Sequence, residues 1–496
     1  MQKQLLVAFF LAIFLGSFLL QVYAEKPSQK PRPNVLFVLA DDQRADAVGF
    51  AGNSYIRTPS LDKLAATGVR FDNAYIMGAN SAAVCAPSRA MLLSGKSLFN
   101  VRTNLAGVET MPAYFGKHGY HTFGTGKWHN EAVSFKASFQ EGDNVFMGGM
   151  GNHYKLHLQR LKNGNLENVA ANGYSTDMFA DAAIRFLESY ANTKQENPFF
   201  CYVAFTTPHD PRSPRKDYIG MYPDGTIPLP GNFMDLHPFL FENFNIRDET
   251  LAPWPRTPKV IQQSLSDYYA MITHMDSRIG DIIATLKAKG LFDNTIIVYT
   301  SDNGLAVGSH GLLGKQNLYE HSIKVPLVIS GPGIPKAQVK NALVYLFDLF
   351  PTIAQICYLP LPKEVNGINL SEVVNGGLEN VRSSLYTVYQ STVRAVRNDE
   401  WKLICYPQRN HIQLFNLKTD PLEINNLAQL PQYKNKVIEM NDLLQKGYAQ
   451  TGDTINLHPA IKLPMEYDYK KLKQIQDRFQ PEYILNRYFN DVKPSN

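Results

Sequence analysis

Two pairs of oxygen-bearing side chains invite a chemical reading first. Asp41 and Asp42 close one apolar run, and Asp302 and Asn303 close another. All four offer oxygen, which Ca²⁺ and Mg²⁺ prefer and which zinc and copper do not. A single such pair is the sort of carboxylate that caps a helix; two pairs, each ending a run of strand character, describe a metal site. Cations accompany them: Arg89, Lys127, His129, His209 and Lys315, several flanked by glycine. Alone, each would be a solvated surface charge. Gathered at sheet ends they form a pocket for a tetrahedral oxyanion, in which a Lys or His can also protonate a departing oxygen. His310 shares the stretch "GSHGLLGKQNLYE" with Lys315 and is a candidate substrate contact. Cys85 lies in "SAAVCAPSRAMLLSGK", among small residues. A disulfide partner, a thiol nucleophile, a buried structural thiol and the precursor of another group are all open at this point. Zinc fits poorly, because no second Cys or paired His stands at ligand spacing.

The elements that must position these residues are legible as periodicities. "NVLFVLADD" (34–42), "PFFCYVAFTTPHD" (198–210) and "NTIIVYTSDNG" (294–304) are continuous apolar runs, the signature of strands covered on both faces in a parallel sheet. Each ends in polar, chemically useful residues, and ligands of open α/β sheets bind beyond the carboxyl ends of strands. "PSLDKLAATG" (59–68) reads as a helix with a glycine stop. From Ile261 to Leu286 apolar residues recur at alternating spacings of four and three, a helix that Gly290 closes. "VPLVISGPG" (325–333) reads as a further strand and turn, and "GTGKWHN" (124–130) as a glycine-rich turn. After about residue 375 the chain changes to short strands, "SLYTVYQ", "STVRAVRNDEWKLICYP" and "IQLFNLKTDP", that suggest a small antiparallel sheet. The expected fold is α/β: a large, mostly parallel sheet between helices (34–375), with a smaller antiparallel sheet and helix subdomain and a surface-wrapping tail (376–496).

Bulk composition is that of an ordinary globular protein, with 44% hydrophobic and 19% charged residues. The net charge is +5 with basic residues scattered, so no nucleic-acid arm is present. Residues 1–24 carry an early lysine, an apolar stretch from Leu5 to Leu20, and the small-x-small site Val22-Tyr23-Ala24; they read as a signal peptide cleaved after Ala24, followed by a polar linker (25–33). The expected destination is the periplasm or the medium, without a membrane anchor. Disulfides can form there, and four cysteines (Cys85, Cys201, Cys357, Cys405) allow three full pairings.

"CAPSR" at 85–89, followed by "LLSGK", resembles the signature of the type I, formylglycine-dependent sulfatases of the alkaline-phosphatase-like superfamily. "NVLFVLADDQ", "GKWH", "PHDP", "SDNG" and "HGLLGK" resemble the family's further motifs, in its order, over about residues 33 to 375. "LFNLKTDPLEINNLA" (414–428) is similar to its closing motif. The resemblance implies that a separate maturing enzyme, reading Pro87 and Arg89, oxidises Cys85 to formylglycine (3-oxoalanine). It implies one Ca²⁺ held by Asp41, Asp42, Asp302, Asn303 and the modified position 85. Arg89, Lys127 and Lys315 would hold charge, His209 or Lys315 would protonate the leaving oxygen, and His129 would help to expel sulfate. The expected activity is hydrolysis of sulfate esters on an exported carbohydrate: an algal polysaccharide such as ulvan or a galactan, or a glycosaminoglycan. A phosphomonoester or phosphonate ester hydrolase of the same superfamily, and a catalytically dead glycan-binding homologue, are the alternatives. Substrate-side residues are expected in 131–175 and 211–258, with Arg212, Arg215, His237 and Arg256 as candidates to meet neighbouring anionic groups.

Overall fold

The computed structural model describes residues 31–193, 197–473 and 475–489; the expected signal peptide lies outside them. Its centre is a ten-stranded sheet in which Asn34–Ala40 runs parallel to both Thr295–Ser301 and Phe199–Ala204. His121–Lys127 extends the parallel set, next to Phe199–Ala204. Both faces are covered, which is why the central runs are apolar without alternation. Val35, Phe37 and Leu39 pack with Met91, Leu92 and Phe115 on one side. Leu36, Val38 and Ala40 pack with Phe179, Ile279 and Ile282 on the other. The latter residues belong to helices Ser175–Asn192 and Pro258–Ala288. The long helix starts on Thr257, whose hydroxyl accepts from the Val260 amide, and Gly290 follows its end at φ 69°.

Two local expectations change, and one further segment gains structure. Helix Pro59–Ala66 is closed by Thr67, and Gly68 instead opens strand Gly68–Phe71. "GTGK" is not a turn but the end of strand His121–Lys127. Gly126 is needed there because a Cβ would lie 1.8 Å from the Ala204 carbonyl oxygen of the neighbouring strand. Within 131–175, where substrate-side residues are expected, Glu141–Phe146, Leu158–Lys162 and Asn165–Val169 add three strands to one end of the sheet. Strands this short, polar and edge-placed leave little periodicity to read.

The smaller sheet forms as expected from four antiparallel strands between Leu385 and Asn416, and takes a fifth, parallel strand from Gly78–Ala79. Helix Lys434–Thr451 covers it through buried Met440 and Leu444. In the tail, helix Glu482–Phe489 buries Ile484 and Tyr488 beside the helix Pro258–Ala288. All four cysteines are free thiols, so none of the three pairings forms. No helix among the described residues is long and apolar enough to cross a membrane.

Candidate active site

Four strand ends converge. Asp41 and Asp42 follow Asn34–Ala40, Asp302 and Asn303 follow Thr295–Ser301, His209 lies beyond Phe199–Ala204, and Lys127 ends its own strand. Cys85 is the first residue of helix Cys85–Ser94, whose end is a left-handed Gly95. The helix delivers Cys85 Sγ to 3.4 Å from Asp41 Oδ1 and 3.5 Å from Asp42 Oδ1. One turn on, Arg89 donates from Nε to Asp302 Oδ2 at 2.8 Å and from Nη1 to the Lys127 carbonyl at 2.6 Å. Ser88 Oγ donates to the Asp302 carbonyl at 2.5 Å. The signature residues thus tie the helix to two strand ends at once.

Charge is matched pair by pair. Lys127 Nζ donates to Asp41 Oδ2 at 2.6 Å, and Lys315 Nζ to Asp42 Oδ1 at 2.6 Å and Cys85 Sγ at 2.9 Å. Asp41, Asp42, Asp302 and Asn303 are fully buried. Burial, then the neighbouring Asp302, pushes Asp41 up to about 7. Burial also raises Asp42, against the pull of Lys315. Burial works against Asp302 too, but Arg89, then Lys127 and Lys315, hold it below the ordinary carboxylate range. Asp42 sits at φ 66°, held by its amide to Asp302 Oδ1 and by Tyr268 Oη donating to its carbonyl at 2.6 Å.

The donor set fits a hard divalent cation. Three carboxylates are crowded into one water-poor place, and Asn303 Oδ1 is buried with no partner while its Nδ2 donates to Asp42 Oδ1 at 2.7 Å. Ligand atoms of Asp41, Asp42, Cys85 and His209 all lie within 4.8 Å of one another. As a thiol, Cys85 is a poor nucleophile: burial, then Asp302, pushes it well above the usual range.

The histidines differ. His209 Nδ1 meets the Asp210 carbonyl at 2.8 Å, an acceptor only, so Nδ1 carries the proton and Nε2 faces Asp42 Oδ2 at 3.7 Å. Burial, then Lys315, depresses its protonated form. His129, at φ 66°, has a buried Nδ1 without a partner; burial, then Lys127, lowers it to about 2. Its Nε2 lies against Gly149, where a Cβ would come within 2.4 Å. His310 is turned elsewhere. It stacks on Tyr319 at 3.9 Å between centroids, and its Nε2 meets the Glu423 carbonyl at 2.9 Å. These surroundings fit an anchor for its loop, not the expected substrate contact.

The segment expected to face substrate does something different. Glu249 accepts from the Leu313 and Gly314 amides at 3.0 and 2.8 Å, and pairs with Arg256 at 2.6 Å. Gln316 takes the Lys315 amide on Oε1 and donates to Asp248 Oδ2 at 2.7 Å. Arg212 reaches the Leu313 carbonyl. His237 and Arg256 are buried and bonded within the protein, and Arg215 is engaged by Asp177 and Asp217; Arg212 is buried too, with a 3.4 Å contact to the Leu313 carbonyl and an Nε that has no hydrogen-bond partner. Glu249, Asp248 and Gln316 carried no sequence signal, because they lie outside any periodic element. Asn130 was also missed; it donates to the carbonyls of Ala86 at 2.9 Å and Thr103 at 2.6 Å.

A parallel sheet whose strand ends gather carboxylates, cations and one helix-borne cysteine defines a hydrolase built for a tetrahedral anion. The sulfatase family model matches residues 33–357, and the chain belongs to that family; it is a sulfuric ester hydrolase. A second model, N-sulphoglucosamine sulphohydrolase C-terminal, matches residues 308–450. N-acetylglucosamine-6-O-sulfatase of Bacteroides thetaiotaomicron is 27% identical, covering 85% of this chain and 87% of that protein. Ulvan-active sulfatase of Formosa agariphila is 29% identical, covering 90% and 87%. A solved structure of a protein in complex with its substrate, D-glucosamine-2-N,6-O-disulfate, superposes with a TM-score of 0.72 at 25% identity, covering 85% and 99%.

Proposed function

We propose that the protein is an exported, calcium-dependent sulfatase that removes sulfate from a carbohydrate, with a catalytic domain of residues 34–375 and a C-terminal subdomain of 376–496. The observation that carries this reading is the packing of Cys85 against Asp41, Asp42 and Lys315 beneath four strand ends. Asp41, Asp42, Asp302, Asn303 and position 85 would hold Ca²⁺, which supplies positive charge for a sulfate oxygen. A maturing enzyme would convert Cys85 to formylglycine, which supplies a hydrated aldehyde as nucleophile in place of a thiol that burial keeps protonated. Arg89 and Lys127 orient Asp41 and Asp302, and Arg89 helps to keep Asp302 ionised. Lys315 brings a cation to the nucleophile and to the transferred group. Lys315, whose ammonium the neighbouring Asp42 helps to keep protonated, would give its proton to the departing oxygen, a role His209 can share only when its Nε2 has first taken up a proton. His129, beside the same group, would help to expel sulfate.

Relatives named for N-acetylglucosamine 6-sulfate and ulvan support a sulfated sugar, from a glycosaminoglycan or an algal polysaccharide, and the reading of residues 1–24 as a signal peptide supports export. The test is sulfate release by the matured enzyme from defined sulfated oligosaccharides, monosaccharide sulfates, choline sulfate and a phosphate ester. Highest efficiency is expected on a sulfated saccharide. Highest efficiency on choline sulfate or on the phosphate ester would overturn the substrate assignment.

A further inference from the structure

Beside His129 opens a cavity of about 290 Å³, lined by Arg102, Thr103, Asn104, His129 and Glu131. Its two walls are unlike ordinary surface loops. On one, the turn at Arg102 is pinned by Leu98 and Leu105, both buried in the main core, and the Leu105 amide donates to the Arg102 carbonyl at 2.9 Å. Asn130 ties the same turn, through the Thr103 carbonyl, to Ala86 at the start of the Cys85 helix. On the other wall, Glu131 is held at φ 69° while its carbonyl accepts from Trp128 Nε1 and Ser134 Oγ. Yet neither charged end is used: among the described residues, the Arg102 guanidinium and the Glu131 carboxylate have no side-chain partner, not even each other. The backbone is anchored while the two charged ends are exposed and unpaired, Glu131 only two residues from His129, which is a preorganised binding surface beside the catalytic group.

We propose that this cavity receives the sugar that bears the scissile ester, and that Arg102 reads a second anionic group, a sulfate or carboxylate, on that carbohydrate. The inference rests on the carbohydrate sulfatase reading above. A planar guanidinium with five donors matches the oxygens of a sulfate or carboxylate in a way that a lysine does not. Glu131, an acceptor only when ionised, suits sugar hydroxyls on the opposite wall. No other cation lines the cavity besides Arg102, so the selectivity for a second anion lies with one residue.

The test compares matured wild type, Arg102→Ala and Arg102→Lys on three substrates. These are a monosaccharide with one sulfate ester, the same sugar with a second sulfate on a neighbouring position, and a sulfated disaccharide carrying a uronic acid. A small aryl sulfate reports the chemistry alone. Arg102→Ala is expected to lose about 10- to 100-fold in kcat/KM on a dianionic substrate, the effect of one charge-assisted contact, with Arg102→Lys between, and to leave the monosulfated sugar and the aryl sulfate unchanged. Whichever dianionic sugar loses most identifies the group that is read. Equal losses on mono- and dianionic sugars, or none, would overturn the inference while the wild type still cleaves sugars. A wild type that cleaves the aryl sulfate but no sugar would overturn the carbohydrate reading, and this inference with it.

Discussion

The loop that carries Lys315 and the turn that carries Arg102 flank the same site and are built in opposite ways. Around Lys315 the polar contacts are closed within the protein. Glu249 takes two backbone amides, Gln316 a third, Arg44 donates to the Leu305 and Ala306 carbonyls, and Lys315 itself meets Asp42 and Cys85. Around Arg102 the backbone is equally anchored, but the charged ends are left open. A group that must meet the same sulfate in every turnover gains from being immobile and pre-paired. A group that must meet the variable part of a substrate can be rigid only up to its last bonds. On the proposed reading, the difference separates residues that act on sulfur from residues that recognise what sulfur is attached to.

The largest effect is expected at the closed side. Cys85→Ala should lower turnover on every substrate, sugar or aryl, on the order of 10⁴-fold or more. Mass analysis of the wild-type peptide containing Cys85 should give the aldehyde. Full activity from protein whose Cys85 is entirely thiol would remove the distinction between the two regions at its root. Next comes metal removal. Chelation should abolish activity and lower the melting temperature, with Ca²⁺ restoring both; at a hundredfold excess over Kd the ion contributes about 2.7 kcal/mol. Elemental analysis giving zinc, or two metals per chain, would misassign Asp41, Asp42, Asp302 and Asn303.

A third effect sharpens the comparison within the closed side. Glu249→Ala removes the carboxylate partner of Arg256, which is fully buried, lies 3.5 Å over the Trp254 ring and is left with the carbonyls of Glu249, Ala252 and Pro253. Breaking a buried pair by removing one partner costs about 3–5 kcal/mol, so urea unfolding should shift by that much and kcat should fall on aryl and sugar substrates alike. Glu249→Gln keeps an acceptor for the Leu313 and Gly314 amides and should recover part of kcat. Equal behaviour of Ala and Gln would mean that the carboxylate serves Arg256 alone and not the Lys315 loop.

How far these two regions could be read from sequence follows from the same contrast. Asp41-Asp42, Asp302-Asn303 and His209 end apolar runs of seven or six residues that form strands, so strand ends and ligands announced one another. Lys127 is legible as chemistry while its strand reads as a turn, since glycines that admit a neighbouring carbonyl look, in sequence, like glycines that bend the chain. Arg212, His237 and Arg256 look like surface charges because a charge in an aperiodic stretch gives no sign of burial; all three are buried, Arg256 against Glu249 seven residues away and His237 on the Phe239 carbonyl. Arg102 and Asn130 were passed over for the same reason. Nothing within a few positions of them differs from ordinary loop, and their importance is in the bond from Asn130 that bridges residues 86 and 103.

That bond gives the last and smallest prediction. Asn130 is buried and links the first turn of the Cys85 helix to the turn that presents Arg102. Asn130→Ala removes two donated hydrogen bonds and leaves two carbonyls to find other partners, a loss of roughly 1–3 kcal/mol in unfolding free energy. The two regions should then respond differently. Helix Cys85–Ser94 keeps Arg89 on Asp302 and Ser88 on the Asp302 carbonyl, so kcat on a small aryl sulfate should hardly change. Among the described residues the Arg102 turn loses its hydrogen-bonded side-chain tie to the helix, while Leu98 and Leu105 still pack in the core, so KM for a saccharide with a second anionic group should rise roughly 2- to 10-fold, the worth of one ordinary hydrogen bond. Steady-state kinetics on the two substrates, side by side, decide it. A fall in kcat on the aryl sulfate, with KM for the saccharide unmoved, would mean that Asn130 serves the chemistry and that the open side is independent of it.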